Sequence, residues 1–149
     1  MATNERGRER YLPSIGELVP EDERPAEPTL EPGIERVDEF VVGGPLLTDV
    51  GGTIGTKVLS TPAMIAMMER CSSLLAYANL PQGRATVGFE VCVKHVAAAT
   101  EGAECRVRST LREVVEDRKL RFDVEVAEDD RTIGVGTHER RVIDVNQLG

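Results

Sequence analysis

The chain has 149 residues and a formal net charge of −8, with 30% charged residues, 3% aromatics and no Trp. That length suits one domain with a real core; the acidic balance argues against nonspecific nucleic-acid binding, and the lack of Trp removes stacking platforms for single strands. No apolar run is long enough to cross a bilayer and the N-terminus is polar, so three cysteines without a CxxC pair read as reduced core thiols of a cytoplasmic protein.

Residues 1–33 differ from the rest. Five of the eight prolines fall between Pro13 and Pro32, and residues 1–35 hold nine acids and four bases, a net of −5. Such a segment buries too little apolar surface to offset its chain entropy. It reads as a mobile or draped arm. Alternatively it packs over a neighbouring subunit through Tyr11, Leu12, Ile15, Leu18 and Val19. Residues 34–149 form the domain proper.

Ile34 to Val42 alternates as a first strand, with Val37, Glu39 and Val41 set against Arg36, Asp38 and Phe40. Gly43 to Thr56 follows as a loop with five glycines and one proline, a candidate lid. It carries no phosphate-binding glycine motif, so no nucleotide site is expected.

Lys57 to Leu80 is the segment around which the domain is organised. Ser60 or Thr61 offers an N-cap hydroxyl, and Pro62 suits the first turn. Met64, Ile65, Met67, Met68, Cys71, Leu74, Leu75 and Ala78 cover too much of the circumference for a surface helix, so something must wrap it. Glu69 interrupts the run, and a carboxylate on a buried helix needs a partner or a task.

Pro81, Gln82 and Gly83 end the helix, and four strands are expected in a meander. In Ala85–Val96 strict alternation puts Val87, Phe89, Val91, Val93 and His95 on one face. Gly88, Glu90, Cys92 and Lys94 take the other. Glu104–Val115 turns Cys105, Val107, Ser109 and Leu111 inward. Lys119–Glu128 does the same with Leu120, Phe122, Val124 and Val126. Thr132–Val145 contains Gly134 and Gly136, which allow a bend or a close backbone approach. A sheet curling around a helix satisfies both patterns.

Three side chains stand out chemically. His95 either bonds backbone at the rim or acts as a general acid and base, because imidazole titrates near neutrality. Glu69 is either a snorkelling or ion-paired helix carboxylate or a reactive one. Thr61 is either a plain cap or part of a site beside the free N–H groups of the helix start. His138, in THERR, alternates onto an exposed or subunit-facing surface. No three or four metal ligands converge in the sequence, so neither metal nor redox cofactor is expected.

The blocks STPAMIAMMERCSS, ATVGFEVCVKH and IGVGTHERRVI, in that order and spacing, resemble the fluoroacetyl-CoA thioesterase-like branch of the hotdog-fold thioesterases over roughly Val58 to Val145. The resemblance implies an α+β hotdog fold, an antiparallel sheet wrapped around one long helix. It also implies a homodimer or higher oligomer with sites at the subunit boundary, and an acyl-CoA substrate. The family's catalytic threonine, glutamate and histidine match Thr61, Glu69 and His95. Its substrate-facing glycine and arginine match Gly88 and Arg140.

Two physical conditions attach to that set. Gly88 and His95 lie on opposite faces of an ideal strand, so a bulge or edge geometry is required if both meet one substrate. Thr61 and Glu69 are eight residues apart, or about 12 Å along a straight helix, too far to share a hydrogen bond. Either the helix starts after Thr61, or the groups meet from two subunits. The segment Asp49 to Lys57 has no aromatic where the family's most specialised member has gating phenylalanines, so fluoroacetyl selectivity is not expected. The rival function is a non-catalytic hotdog module that binds acyl-CoA or another apolar ligand. A hydratase is disfavoured by the lack of a paired Asp and His on the helix. A DNA-linked sensor is disfavoured by the acidic, proline-rich arm.

Overall fold

Ser60 opens the long helix: its hydroxyl accepts the Ala63 N–H at 3.1 Å, and the helix runs regularly over Thr61–Ala78 (α2). Pro62 sits in the first turn, where its missing N–H leaves no gap. The cap is therefore Ser60, and the hydroxyl of Thr61 is left for other work. Asn79 closes the far end, its backbone N–H bonding back to Ala76 and Tyr77 and its side-chain amide to Leu75.

This computed structural model describes residues 12–148 and, as backbone only, the paired two-residue strands Ala2–Thr3 (β1) and Glu9–Arg10 (β2). Tyr11 and the side chains before it lie outside the described residues. Short helical turns at Ile15–Leu18 (α1) and Glu21–Glu23 lead to the first long strand, Glu35–Val41 (β3). The segment read as a loop contains a small ribbon: Leu47–Thr48 (β4) pairs antiparallel with Val58–Leu59 (β5), just ahead of α2. Then come Arg84–His95 (β6), Glu104–Val115 (β7), Lys119–Glu128 (β8) and Arg131–Asp144 (β9).

The main sheet is antiparallel, with spatial order β3-β7-β8-β9-β6. It cups α2, which makes this the expected hotdog architecture. Met64, Met68, Cys71, Leu75 and Ala76 are buried on α2, against Phe40, Cys105, Val107, Leu111, Leu120, Phe122, Val124 and Val126 of the sheet. One polar pair sits within this contact: Ser72 and Ser109 share a 2.7 Å hydrogen bond, and Ser72 also donates to the Met68 carbonyl.

Three sequence expectations need correction. The four strands are not one meander: β7, β8 and β9 are sequential neighbours, but β6 crosses to the far edge beside β9. Alternation in β6 is broken by a bulge at Phe89, because Gly88 pairs with Arg140 while Glu90 pairs with Glu139. The extra residue turns Val87 and Phe89 to the outer face and Gly88 inward. Phe89 is 59% exposed, and the Arg141 guanidinium stacks on its ring at 3.6 Å. Cys92, read as a core thiol, is exposed on β6; Cys71 and Cys105 are buried, and burial raises both thiols above their ordinary range.

The described part of the arm, from Leu12 on, lies along the domain. Arg24, its side chain 2% exposed, donates to the carbonyls of Leu80, Pro81 and Arg84 where α2 hands over to β6. It stacks over Tyr77 at 3.6 Å, and Tyr77 in turn donates to Glu21. Leu12, Leu30 and Ile34 pack against the core. A charged donor serving three carbonyls has no replacement in alanine. Arg24→Ala is expected to cost about 2–3 kcal/mol of stability, read from urea denaturation; an unchanged midpoint would show these bonds to be inconsequential.

Candidate active site

Gly134 sets the first half of the site. A Cβ there would overlap the Met64 sulfur, so glycine leaves room for the buried Met64 side chain, in the first turn of α2, to lie directly on β9. Gly134 pairs with His95 across the β6–β9 ladder. That close approach brings the start of α2 to the end of β6, and Thr61 Oγ1 meets His95 Nδ1 at 2.7 Å. The other ring nitrogen, Nε2, is buried and has no hydrogen-bond partner among the described residues. A shallow depression lined by Val58, Leu59, His95, Val96, Ala97 and Ala98 opens beside the pair.

The second half is two turns further along α2. Glu69 points at the backbone of Gly88, where an added Cβ would lie 2.8 Å from its Oε2, 3.6 Å from Arg140 Nη1 and 3.7 Å from the His138 ring. Arg140 Nη1 stands 3.9 Å from the same carboxylate oxygen. Glu69 is partly open, at 41% side-chain exposure, whereas Arg140 is buried.

Arg140 is held on every side. Its Nε donates to Thr86 Oγ1 at 2.7 Å, Nη2 to the Thr86 carbonyl at 3.0 Å and Nη1 to His138 Nε2 at 3.1 Å. A guanidinium only donates, so His138 Nε2 accepts. The ring proton therefore sits on Nδ1, which donates to the Glu90 carbonyl at 2.8 Å. His138 is a neutral imidazole of fixed tautomer. Burial pushes its pKa down, Arg140 pushes the same way, and the bond to Glu90 and the charge of Glu69 oppose them. Arg140 is also lowered by burial, with Glu69 opposing.

The placement of His138 corrects the sequence reading of an exposed or subunit-facing residue: it is 2% exposed, faces inward and stacks on Phe122. Gly134, Gly136, His138 and Arg140 share the inner face of β9. The i, i+2 spacing of His138 and Arg140 was the available signal, obscured because that face carries almost no apolar residues. Thr86, which holds Arg140 twice, had no signal of its own. On the outer face, Glu139 sits between Arg121 and Arg141; desolvation pushes its carboxyl up, but those two hydrogen bonds hold it below the ordinary carboxylate range.

The depressed pKa of His138 has a pH consequence. Above the ordinary value of 6.5 the ring is neutral in both folded and unfolded chains. Below it the unfolded chain takes up the proton first, so stability falls as pH drops from about 6.5 toward 5. Glu139, held low, loses its contribution only at more acidic pH, below its ordinary 4.5. Urea midpoints from pH 7.5 to 5 should fall more steeply in the native protein than in His138→Gln; equal slopes would contradict this.

All five residues singled out in the sequence thus lie on the inner side of the α2–β6–β9 corner, but in two groups. Thr61 and His95 form one. Glu69, Gly88 and Arg140 form the other. The regular start of α2 at Thr61 removes the option of a late helix, so the two groups stay about 12 Å apart along the axis within one chain. The bulge at Phe89 supplies the geometry that lets Gly88 and His95 face the same side. Among the described residues, no three His, Cys, Asp or Glu side chains come together as a metal site.

A family model described as fluoroacetyl-CoA-specific thioesterase matches residues 47–146, which span both halves of this site. The chain belongs to this family. The fluoroacetyl-CoA thioesterase of Streptantibioticus cattleyicolor is 34% identical over 92 residues, covering 62% of this chain and 66% of that protein, just under two thirds of its length. A Phe-to-Ala mutant of the fluoroacetyl-CoA-specific thioesterase FlK, solved with fluoroacetate and CoA, superposes with a TM-score of 0.73 at 27% identity, covering 80% of this chain and all of that one. The hot-dog-like protein from Thermanaerovibrio acidaminovorans, at 20% identity and TM-score 0.71 over 89% of each chain, shares the fold. Among the described residues, no helix is long and apolar enough to cross a membrane.

Proposed function

We propose that the protein is an acyl-CoA thioesterase acting on a small or medium acyl group, that it works as a cytoplasmic homodimer, and that each active site joins Thr61 and His95 of one subunit to Glu69, Gly88 and Arg140 of the other. One observation carries this reading. A hydrogen-bonded hydroxyl–imidazole pair and a carboxylate–glycine–arginine cluster sit on the same face of the chain, too far apart to act together, at the end and near the middle of the edge strand β6. β6 is an edge strand of 12 residues, and beyond Thr86 no other strand of the described residues pairs with its free side, along which Val87, Phe89 and Val91 are exposed. Natural sheets rarely leave such an edge unpaired. An antiparallel partner strand would lay His95 near the partner subunit's Gly88 end and build two complete sites. The three free thiols suit a reducing compartment.

The chemistry follows from the groups. With its proton on Nδ1, His95 donates to Thr61 Oγ1 and leaves the Nε2 lone pair free to take a proton from water. The water attacks the thioester carbonyl. Charge building on the carbonyl oxygen is met by backbone N–H at Gly88 and by the nearby guanidinium of Arg140, which already bears a positive charge in a partly desolvated position. Glu69 orients the water from the opposite side. The tetrahedral intermediate collapses, the carbon–sulfur bond breaks, and imidazolium returns the proton to the departing thiolate. A carboxylic acid and free CoA result.

The 2.7 Å Thr61–His95 contact also suits direct attack by Thr61 with His95 as base. Rapid quench and mass spectrometry distinguish the routes, because only the second leaves an acyl group on Thr61. The activity itself is tested by thiol release across acyl-CoAs of increasing chain length. Turnover with at least one supports the enzyme. Binding of acyl-CoA without thiol release from any member of the series assigns the protein to the ligand-binding alternative.

A further inference from the structure

The homodimer reading leaves open how two β6 edges meet, and β6 carries enough information to choose. Val96 donates its backbone N–H to Ile133 next to the β6–β9 ladder. Backbone groups of successive strand residues point to alternate sides, so Glu90, Cys92 and Lys94 turn theirs toward β9, and Val91, Val93 and His95 present theirs to the free edge. The side chains divide differently. Glu90, Cys92 and Lys94 stand on the outer face of the sheet; Val91, Val93 and His95 face α2. Neither Glu90 nor Lys94 has an ion-pair partner in its own chain among the described residues.

A two-fold axis pairing β6 with a second β6 must pass through a residue, because side chains opposite one another share a face. Five positions fall in the exposed middle of the strand. An axis at Glu90 or Lys94 sets like charges opposite each other, which is destabilising. An axis at Val91 puts Glu90 opposite a cysteine and Lys94 opposite a glycine. An axis at Val93 puts Glu90 opposite a valine and Lys94 opposite a cysteine. Only an axis at Cys92 places Glu90 of each chain opposite Lys94 of the other, twice, and sets Val91 against Val93 twice on the inner face. The same register lays His95 at the Phe89 bulge of the second chain, one residue from its Gly88, where the proposed composite site requires it.

We infer that two copies of the chain pair through β6 in a single register centred on Cys92, locked by reciprocal Glu90–Lys94 ion pairs. This rests on the homodimer proposal above and specifies its interface. Cys92 turns its backbone groups toward β9, so across the axis it forms a non-hydrogen-bonded pair with a Cα separation of about 4.5 Å. That lies within the range of about 4.4–6.8 Å that a disulfide spans.

The test uses the full chain. Mild oxidation with copper–phenanthroline should give a covalent dimer on a non-reducing gel. The dimer should be absent in Cys92→Ser, since Cys71 and Cys105 are buried. Separately, Glu90→Lys should weaken the dimer about tenfold by analytical ultracentrifugation, as two attractive pairs become repulsive, and the swap Glu90→Lys with Lys94→Glu should restore it. A dimer that fails to cross-link through Cys92, or that the swap fails to rescue, overturns the register and leaves the homodimer standing. A protein that sediments as a monomer overturns both.

Discussion

Glu69→Gln and His95→Ala are each expected to lower kcat for acyl-CoA hydrolysis about 10²–10⁴-fold while leaving the fold intact. The two substitutions act on different halves of the site. His95 sits at the end of β6, where Nδ1 is occupied by Thr61 and Nε2 has no partner among the described residues, so removing the ring takes away the proposed proton acceptor without opening the core. Glu69→Gln keeps the shape of a side chain that is already partly exposed and removes only its charge. Arg140 then loses the charge of the Glu69 carboxylate near its guanidinium but keeps its bonds to Thr86 and His138, so the cluster should hold together. Thiol release gives the rate and circular dichroism confirms folding. A Glu69→Gln protein with native kcat would remove the carboxylate from the mechanism.

Gly88→Ala should lower kcat at least about tenfold with little loss of stability. Many glycines are fixed by a left-handed backbone; this one is not among the positive-φ positions, so alanine fits the backbone itself. What it meets is the Glu69 carboxylate, 2.8 Å from the new methyl. That side chain is free to swing outward, so the fold survives but the carboxylate leaves its place against β6. The effect should fall on kcat more than on KM, and a crystal structure of the variant should show Glu69 displaced. Native kcat with an undisplaced Glu69 would mean the close contact has no catalytic meaning.

Much of this arrangement was legible in the chain, for physical reasons that differ by element. α2 announced itself because apolar residues on nearly every side of an 18-residue helix need a wrapper, and β7 and β8 because period-2 alternation in a one-sided sheet leaves little freedom. Thr61, Glu69, His95, Gly88 and Arg140 came from the family resemblance, and the spacing arguments added what it lacked. Opposite faces for Gly88 and His95 demanded a bulge, and eight helical residues between Thr61 and Glu69 demanded either a late helix or a second subunit. Two features were hidden. The crossing of β6 to the far edge depends on packing around α2, since alternation within a strand says nothing about its neighbours. The burial of His138 depends on Arg140 and Phe122 closing over it, on a strand face whose other members are glycines.

The central claim is that one chain cannot assemble a working site by itself. His95→Ala and Glu69→Gln proteins, each inactive alone, should be unfolded together, refolded and assayed for thiol release, with heterodimer content measured by native mass spectrometry on differently tagged chains. Half the dimers should be mixed, and each mixed dimer should carry one site with both native residues, so activity should return to about a quarter of the native value. Mixed dimers that form in that proportion and remain as inactive as their parents would contradict the composite site.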